Sequence, residues 1–206
     1  MKIQLEFARY KPLPRSWSWI TLGTTPLNVS DAVSTQMGVT IRLYEESDAE
    51  AMTAAAREST ADVLPWMPWC HAEYSAADAL RWIRATRDGH STETMHEFAI
   101  ADSTGQYAGG CGINQISLVT GVANLGYWVR SSLAGRGIAP AAVLELVPWA
   151  FQHTPLHRLE IVAAVANHRS QRVAEKAGAH RDAVLRKRII VNGAPSDAVL
   201  YSILRP

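Results

Sequence analysis

The sequence predicts a mixed α/β domain, and three observations carry that expectation. From residue 39 onward the pattern of apolar residues and turn signals gives the order β, α, α, three strands, α, β, α, β, β. The 206 residues are 48 % hydrophobic and 19 % charged, which suits one large domain, or one domain with an extension. No internal repeat or low-complexity segment suggests another architecture.

The elements follow in order. Val39-Thr40-Ile41-Arg42-Leu43 alternates as a short strand. Ser47-Asp48-Ala49-Glu50 opens an Ala-rich helix running to about Glu58. In Leu64-Pro65-Trp66-Met67-Pro68-Trp69 the two prolines forbid a regular helix. Ser75 and Asp78 have the spacing of a capping box, and Gly89 is a natural stop for the helix they start. Phe98–Ala101 reads as a strand, 102–105 as a turn, Tyr107–Ile116 as a Gly-rich strand, and Ala123–Val129 as a third strand beyond the Thr120-Gly121 turn. Gly137–Gln152 is a helix with Pro140 in its first turn and a kink expected at Pro148. Leu159–Val165 reads as a buried strand. Asn167 or Ser170 caps a helix ending at Gly178. Val184–Val191 and Ala198–Leu204 close the fold around Asn192-Gly193.

Residues 1–38 stand apart. They hold Pro12, Pro14, Gly23 and Pro26, with Trp17 and Trp19, and show no clear period. They are expected to form an arm docked on the domain or a flexible leader, with Met37 as an alternative start. The tryptophan-bearing arm is compatible with a homodimer in which it covers a neighbouring copy.

A net charge of +1 excludes an overall electrostatic grip on nucleic acid or an anionic membrane. No run reaches the roughly 18 apolar residues of a membrane helix, and the first residues lack the apolar core of a secretory signal. Cys70 and Cys111 are too few for a disulfide scaffold, so a reduced, cytoplasmic protein is expected.

The chemistry is concentrated in Leu125-Gly126-Tyr127-Trp128-Val129-Arg130-Ser131-Ser132-Leu133-Ala134-Gly135-Arg136-Gly137-Ile138-Ala139. A buried strand runs into a glycine loop that opens directly into a helix. Gly135 and Gly137 permit positive φ and close approach of a ligand. The free amides of the loop and first turn, with the helix dipole, form a cradle for a pyrophosphate. An ordinary tight turn is the plain alternative. Pro140 stands where a dinucleotide fold needs its third glycine, and no G-x-x-x-x-G-K-[ST] run exists.

This segment, followed downstream by Asn167-His168-Arg169-Ser170 and Ala174-Glu175-Lys176-Ala177-Gly178, resembles the GNAT superfamily of acetyl-CoA-dependent N-acetyltransferases, and within it the Rim-type branch that acetylates ribosomal-protein N-termini. The resemblance covers residues 39–206. It implies a mostly antiparallel central sheet, split between two strands, with helices on both faces. It implies that the strand matching Leu125–Val129 splays from the one matching Leu159–Val165, and that a pantetheine arm lies in the wedge against Trp128 and Val129. It places the pyrophosphate on the amides of Ala134, Gly135, Arg136, Gly137, Ile138 and Ala139. Asn167 matches an asparagine that bonds the pantetheine. Ser170 matches a hydroxyl near the thioester sulfur, a candidate acid for the leaving thiolate, although serine is also a good helix cap. Ser132 and Ala179 depart from residues usual in the family, and no residue matches the carboxylate that serves some relatives as base.

For the base the candidates are Glu97, His96, Glu73 and His71, with Glu97 preferred; each is otherwise a solvated surface residue. Trp66 and Trp69, on the loop that borders the acceptor site in the resembling family, and Tyr127 on the cleft strand are the candidate substrate-binding residues, with core packing as the alternative. A nucleophilic role for either cysteine and a zinc site at His153 and His157 lack support from spacing. In Arg186-Lys187-Arg188, alternation puts Arg186 and Arg188 on one face, toward solvent, an acidic substrate or the cofactor's adenosine phosphate. The expected function is acetyl transfer from acetyl-CoA to a primary amine by direct attack. The amine would be a protein N-terminus or a small amino-acid-like metabolite or antibiotic. A non-catalytic acyl-CoA sensor is the alternative.

Overall fold

The computed structural model describes residues 33–34 and 38–206, so the expectations for the rest of the arm, its tryptophans and Met37 lie outside the described residues. Eight strands form one sheet in the order β1-β2-β3-β4-β5-β6-β8-β7. They are β1 (Val33–Ser34), β2 (Thr40–Leu43), β3 (His96–Ala101), β4 (Tyr107–Ser117), β5 (Val122–Val129), β6 (Arg158–Ala164), β7 (His180–Val191) and β8 (Ala194–Leu204). β1 comes from the stretch read as the extension and pairs with β2, Val33 opposite Ile41. Every neighbouring pair is antiparallel except β5 with β6.

The helices are α1 (Ala49–Glu58), α2 (Thr60–Val63), α3 (Ala76–Ser91), α4 (Ile138–His153) and α5 (His168–Lys176). Strand alternation sorts the sheet into two apolar faces. Ile41, Phe98, Ile100, Ile113, Leu125, Leu159 and Ile161 pack with α4 residues such as Val143 and Leu146. Ala99, Tyr107 and Trp128 face the other way, into Met52, Ala55 and Ala56 of α1 and Ala79 and Ile83 of α3. The helices therefore cover both faces, as expected. The Arg42 guanidinium grips the buried Asp48 carboxylate through bonds of 2.6 and 2.8 Å, locking β2 to the start of α1.

Several boundaries differ from the sequence expectation, each for a local reason. The capping box at Ser75 forms, but α3 runs past Gly89 to Ser91, because the Thr92 N–H still bonds the Asp88 carbonyl. A single turn, α2, precedes the proline loop. α4 continues through Pro148 without ending. The Asn192-Gly193 turn has φ of 48° and 76°, the left-handed pair that two-residue hairpins require, and it joins strands longer than expected. The simple alternation expected for Arg186 and Arg188 does not occur. The ladder slips between Leu185 and Ile189, so these residues leave the period-two pattern.

Glycines on β4 set how closely β5 approaches. A Cβ on Gly109 would overlap the Trp128 carbonyl oxygen and come within 2.9 Å of the Val129 Cα. Gly109→Ala is expected to destabilise the fold by about 3 kcal/mol, read from chemical denaturation. A change under about 0.5 kcal/mol would show that the two strands move apart freely.

Candidate active site

The parallel pair β5–β6 creates the site by failing to stay paired. Val122, Ala123 and Asn124 align with Arg158, Leu159 and Glu160, and pairing stops there although both strands continue. From Leu125 to Val129 one edge of β5 still bonds β4, while its other edge faces an open wedge. Backbone groups on such an edge need a partner, and an extended amide-bearing chain supplies one.

At the wide end of the wedge β5 runs into the glycine loop. Gly135 and Gly137 have φ of 79° and 82°, and Gly137 caps α4 with no side-chain acceptor. Among the described residues, the amides of Gly135, Arg136, Gly137, Ile138 and Ala139 have no protein acceptor. Pro140 follows them and brings no amide of its own. The first half of the loop is fastened from the opposite side. Ser131 donates its N–H to Ser59 Oγ at 3.0 Å and its hydroxyl to Asp62 at 2.6 Å. The Ser132 N–H reaches Glu58 at 2.7 Å, and Arg130 beside it holds the Glu58 carboxyl down at about 2.

Across the wedge, the Asn167 side-chain oxygen caps α5 by accepting the Ser170 N–H at 3.0 Å, which leaves its amide nitrogen available to the cleft. The Tyr127 hydroxyl lies 2.9 Å from the Ser170 carbonyl and 3.1 Å from Ser170 Oγ, so strand and helix hold two hydroxyls together. Burial pushes the Tyr127 phenol up to about 12, which keeps its proton in place near neutrality. Arg169 reaches over the mouth to Asp62 at 2.9 Å.

These groups line one cleft of about 540 Å³. It gathers Trp66, Tyr127, Trp128, Val129, Ala134, Gly135, Gly137, Ile138, Ala139, Asn167 and Ser170 from the sequence expectation. It also takes in Asp62 and Arg169, together with Arg172, Val173 and Lys176 of α5, which sequence reasoning missed. Their spacing of three to four residues, one helix face, was the available signal. Arg136 is exposed and does not line the cleft. Neither does Trp69, whose ring packs edge-on against Trp128 at 5.1 Å and Tyr74 at 5.5 Å. A second hollow, about 320 Å³, adjoins at Trp66 and is lined by Ala164, Val165, Ala166, His168, Val191, Ser196 and Asp197.

Glu97 also lies outside the cleft lining. It is half-buried on the sheet face that carries α1 and α3, opposite Gly112. Asn124 donates to Asn114, and Asn114 donates to the Glu97 carboxylate, each at 2.9 Å. The network thus runs from Glu97 to the last paired residue of β5, where the wedge opens. Burial pushes the Glu97 carboxyl up to about 7, with the Asn114 bond offsetting part of the effect. The other base candidates are elsewhere. His96 sits against His90 and Trp149, its basicity lowered to about 4 by burial. His71 pairs with Glu73 at 3.4 Å on an exposed loop.

A strand splayed from its parallel neighbour, a cradle of free amides at a helix N-terminus and a second hollow beside the cleft define a two-substrate site, one half of it suited to an extended, pyrophosphate-bearing ligand. Comparison with known proteins gives the family. Residues 39–180 match the Acetyltransferase (GNAT) domain family, so the chain belongs to the GNAT acetyltransferases. It is 30 % identical over 173 residues to the "Putative ribosomal N-acetyltransferase YdaF" of Bacillus subtilis (strain 168), covering 81 % of this chain and 91 % of that one. Among solved structures it resembles RimJ of Mycobacterium smegmatis in complex with CoA-disulfide, with TM-score 0.75, 26 % identity and 81 % of each chain covered. It also resembles the "putative ribosomal-protein-serine acetyltransferase" of Vibrio cholerae, with TM-score 0.73, 26 % identity, and 86 % of this chain and 99 % of that one covered. The protein is an N-acetyltransferase that transfers an acetyl group from acetyl-CoA to an amine.

The raised Glu97 carboxyl links stability to pH. Its proton is held more tightly in the folded chain, so stability is full below the ordinary 4.5 and falls as the pH rises towards 7. Glu97→Gln is expected to match the wild type in denaturation at acid pH and to exceed it above neutrality by at most about 3 kcal/mol. Parallel pH profiles for the two proteins would show that Glu97 titrates normally.

Proposed function

We propose that the protein acetylates the α-amine of a peptide or protein N-terminus by direct attack on the bound thioester. The observation that carries this reading is the wedge itself, an unpaired β5 edge leading to amides without acceptors and meeting a second hollow at Trp66. Bound acetyl-CoA supplies the activated acetyl group. In this reading the loop amides of 135–139, aided by Arg172 and Lys176, grip the pyrophosphate, and Asn167 holds the arm; the Ala134 amide, expected in that set, is already donated to the Ser131 carbonyl at 3.1 Å. The hollow beyond Trp66 receives the acceptor, with the Trp66 indole as the wall common to both sites. The names of YdaF and of the Vibrio cholerae protein, which specify ribosomal and ribosomal-protein-serine acetylation, favour a protein N-terminus over a small metabolite.

Three groups carry the proton inventory. Glu97, poised near 7, accepts through water the proton that the α-ammonium must lose before its neutral amine attacks, because the carboxylate stands back from the cleft lining. A terminal α-amine, with an ordinary pKa near about 8, asks little of that base. Ser170 Oγ holds a proton where the thiolate departs, and the Tyr127 hydroxyl keeps it there. A β5 amide near Val129 polarises the carbonyl. The free, buried thiols of Cys70 and Cys111 suit a cytoplasmic enzyme.

Free-thiol release with acetyl-CoA and a panel of short peptides, free amino acids and polyamines tests this function. Turnover is expected with the peptides. Glu97→Gln should lower kcat/KM by about tenfold and remove an inflection near pH 7, while Ser170→Ala should lower kcat more than it raises the KM for acetyl-CoA. Turnover with polyamines alone would overturn the peptide reading, and an unchanged pH profile would overturn the role of Glu97.

A further inference from the structure

The rim of the second hollow carries charge that the acetyl-transfer chemistry leaves unused. β7 and β8 pair Leu185 with Ala198 and Ile189 with Ser196. Arg186, Lys187 and Arg188 therefore oppose Asp197 alone and bulge out of the ladder. Lys187 sits at φ 50°, a conformation rare for a long side chain. What holds it there is its own N–H, donated to Asp197 Oδ1 at 2.9 Å. The Asp197 carbonyl in turn accepts the Val165 N–H at 3.1 Å, tying the bulge to the end of β6. Asp197, Ser196 and Val165 all line the second hollow. The cationic bulge does not line the hollow itself but is fastened to its wall through Asp197. All three cationic side chains are exposed, and among the described residues none makes an ion pair or a side-chain hydrogen bond.

Two other uses of these charges fit less well. The cofactor cleft has its own cations, Arg169, Arg172 and Lys176, and β7 and β8 contribute nothing to its lining. A nucleic acid would engage more phosphates than this short run can neutralise, and the net charge of +1 provides no wider positive field.

We propose that Arg186, Lys187 and Arg188 form a specificity rim that selects acceptor peptides carrying acidic residues a few positions after the reactive N-terminus. This rests on the peptide-acceptor reading above and deepens it. The hollow has room for the first residue or two. An extended chain advances about 3.3 Å per residue, so carboxylates at roughly the third to fifth positions pass the bulge. Exposed charge pairs of this kind contribute modestly and are screened by salt, which fixes the scale of the effect.

The test uses the full chain and three peptides that share a Ser-Ala start and continue as Asp-Glu-Asp, Asn-Gln-Asn or Lys-Lys-Lys. kcat/KM is read from thiol release at low and high salt. The acidic peptide is expected to exceed the neutral one about tenfold in low salt, with the basic peptide poorest, and the ratio should shrink to about twofold near 0.5 M salt. The combined R186Q, K187Q and R188Q variant should bring the acidic-to-neutral ratio close to one. The R186Q and R188Q pair, which leaves Lys187 and its backbone in place, should move the ratio the same way if the triple variant folds poorly. Equal kcat/KM for acidic and neutral peptides in the wild type overturns the rim while acetyl transfer to peptides stands. No turnover with any peptide overturns the peptide reading on which the rim depends. Inhibition by a short single-stranded RNA stronger than that by the non-acceptor N-acetylated acidic peptide, and lost in the triple variant, overturns the rim in favour of a nucleic-acid surface.

Discussion

The site depends on one constraint, that β5 and β6 are parallel neighbours paired only over Val122–Asn124. Parallel strands normally continue in register, with both edges satisfied. Here each strand is committed to a different partner. β5 follows β4 through Gly109–Ile113, while β6 follows β8 along its full length, Arg158 opposite Leu204 through Ala164 opposite Ala198. Right-handed twist turns those two partners apart. The cost is a row of strand groups with no protein partner, and that cost becomes binding capacity for a chain that brings its own amides. The helices keep the opening from collapsing. α4 packs its Val143 and Leu146 into one core, and α5 follows β6 through the Asn167 cap, so each strand leads into a helix whose N-terminus faces the gap.

Electrostatics then distinguishes the two ends of the opening. With a net charge of +1 the molecule offers no long-range field for an anionic ligand, so attraction must be local. At the wide end it comes from backbone amides and the α4 dipole, reinforced by cations on α5. At the vertex the chemistry is nearly neutral, with the paired hydroxyls of Tyr127 and Ser170 on the side of α4 and α5 and the Asn124–Asn114–Glu97 network on the other. One end thus offers donors and positive charge suited to a phosphate, and the other offers hydroxyls and a buried carboxyl. Asp62, fastened to Ser131 and Arg169, ties the walls together at the mouth and spends its charge within the protein.

Much of this was legible in the sequence, and the parts that were not share a cause. Gly135, Gly137, Asn167 and Ser170 announced themselves because each meets a local demand: a positive φ, a free amide or a cap. The element order followed from apolar patterning and turn signals, and the helices on both faces of the sheet from the family resemblance. Asp62 was hidden because a single helical turn ahead of two prolines has no period to detect. Arg172 and Lys176 were ambiguous, since a cationic stripe on a short helix looks the same whether it meets solvent or phosphate. The bulge at Arg186–Arg188 escaped because alternation assumes an intact ladder, and only the pairing with Asp197 breaks it. Trp69 looked like Trp66 in sequence, and tertiary packing against Trp128 separated them.

Glu97 shows how the sheet itself tunes a carboxyl that lies outside the cleft lining. Its carboxylate lies over Gly112, where any side chain would collide with it, and the neighbouring Gly126 is nearly clear, its absent Cβ meeting nothing nearer than the Asn114 and Asn124 amides at 3.9 Å. Gly112 and Gly126 are cross-strand partners, so the surface between Glu97 and β5 carries no side chain at either position. Asn124 donates to Asn114 and Asn114 donates to the carboxylate, so the two asparagines orient Glu97. Burial without an ionic partner then sets the basicity. A salt bridge at this position would pull the carboxyl down and leave it a poor base, whereas the neutral amide of Asn114 corrects the desolvation only in part and leaves it near 7. The glycines and the asparagines are thus two halves of one arrangement, one making room for the carboxylate and the other setting its basicity.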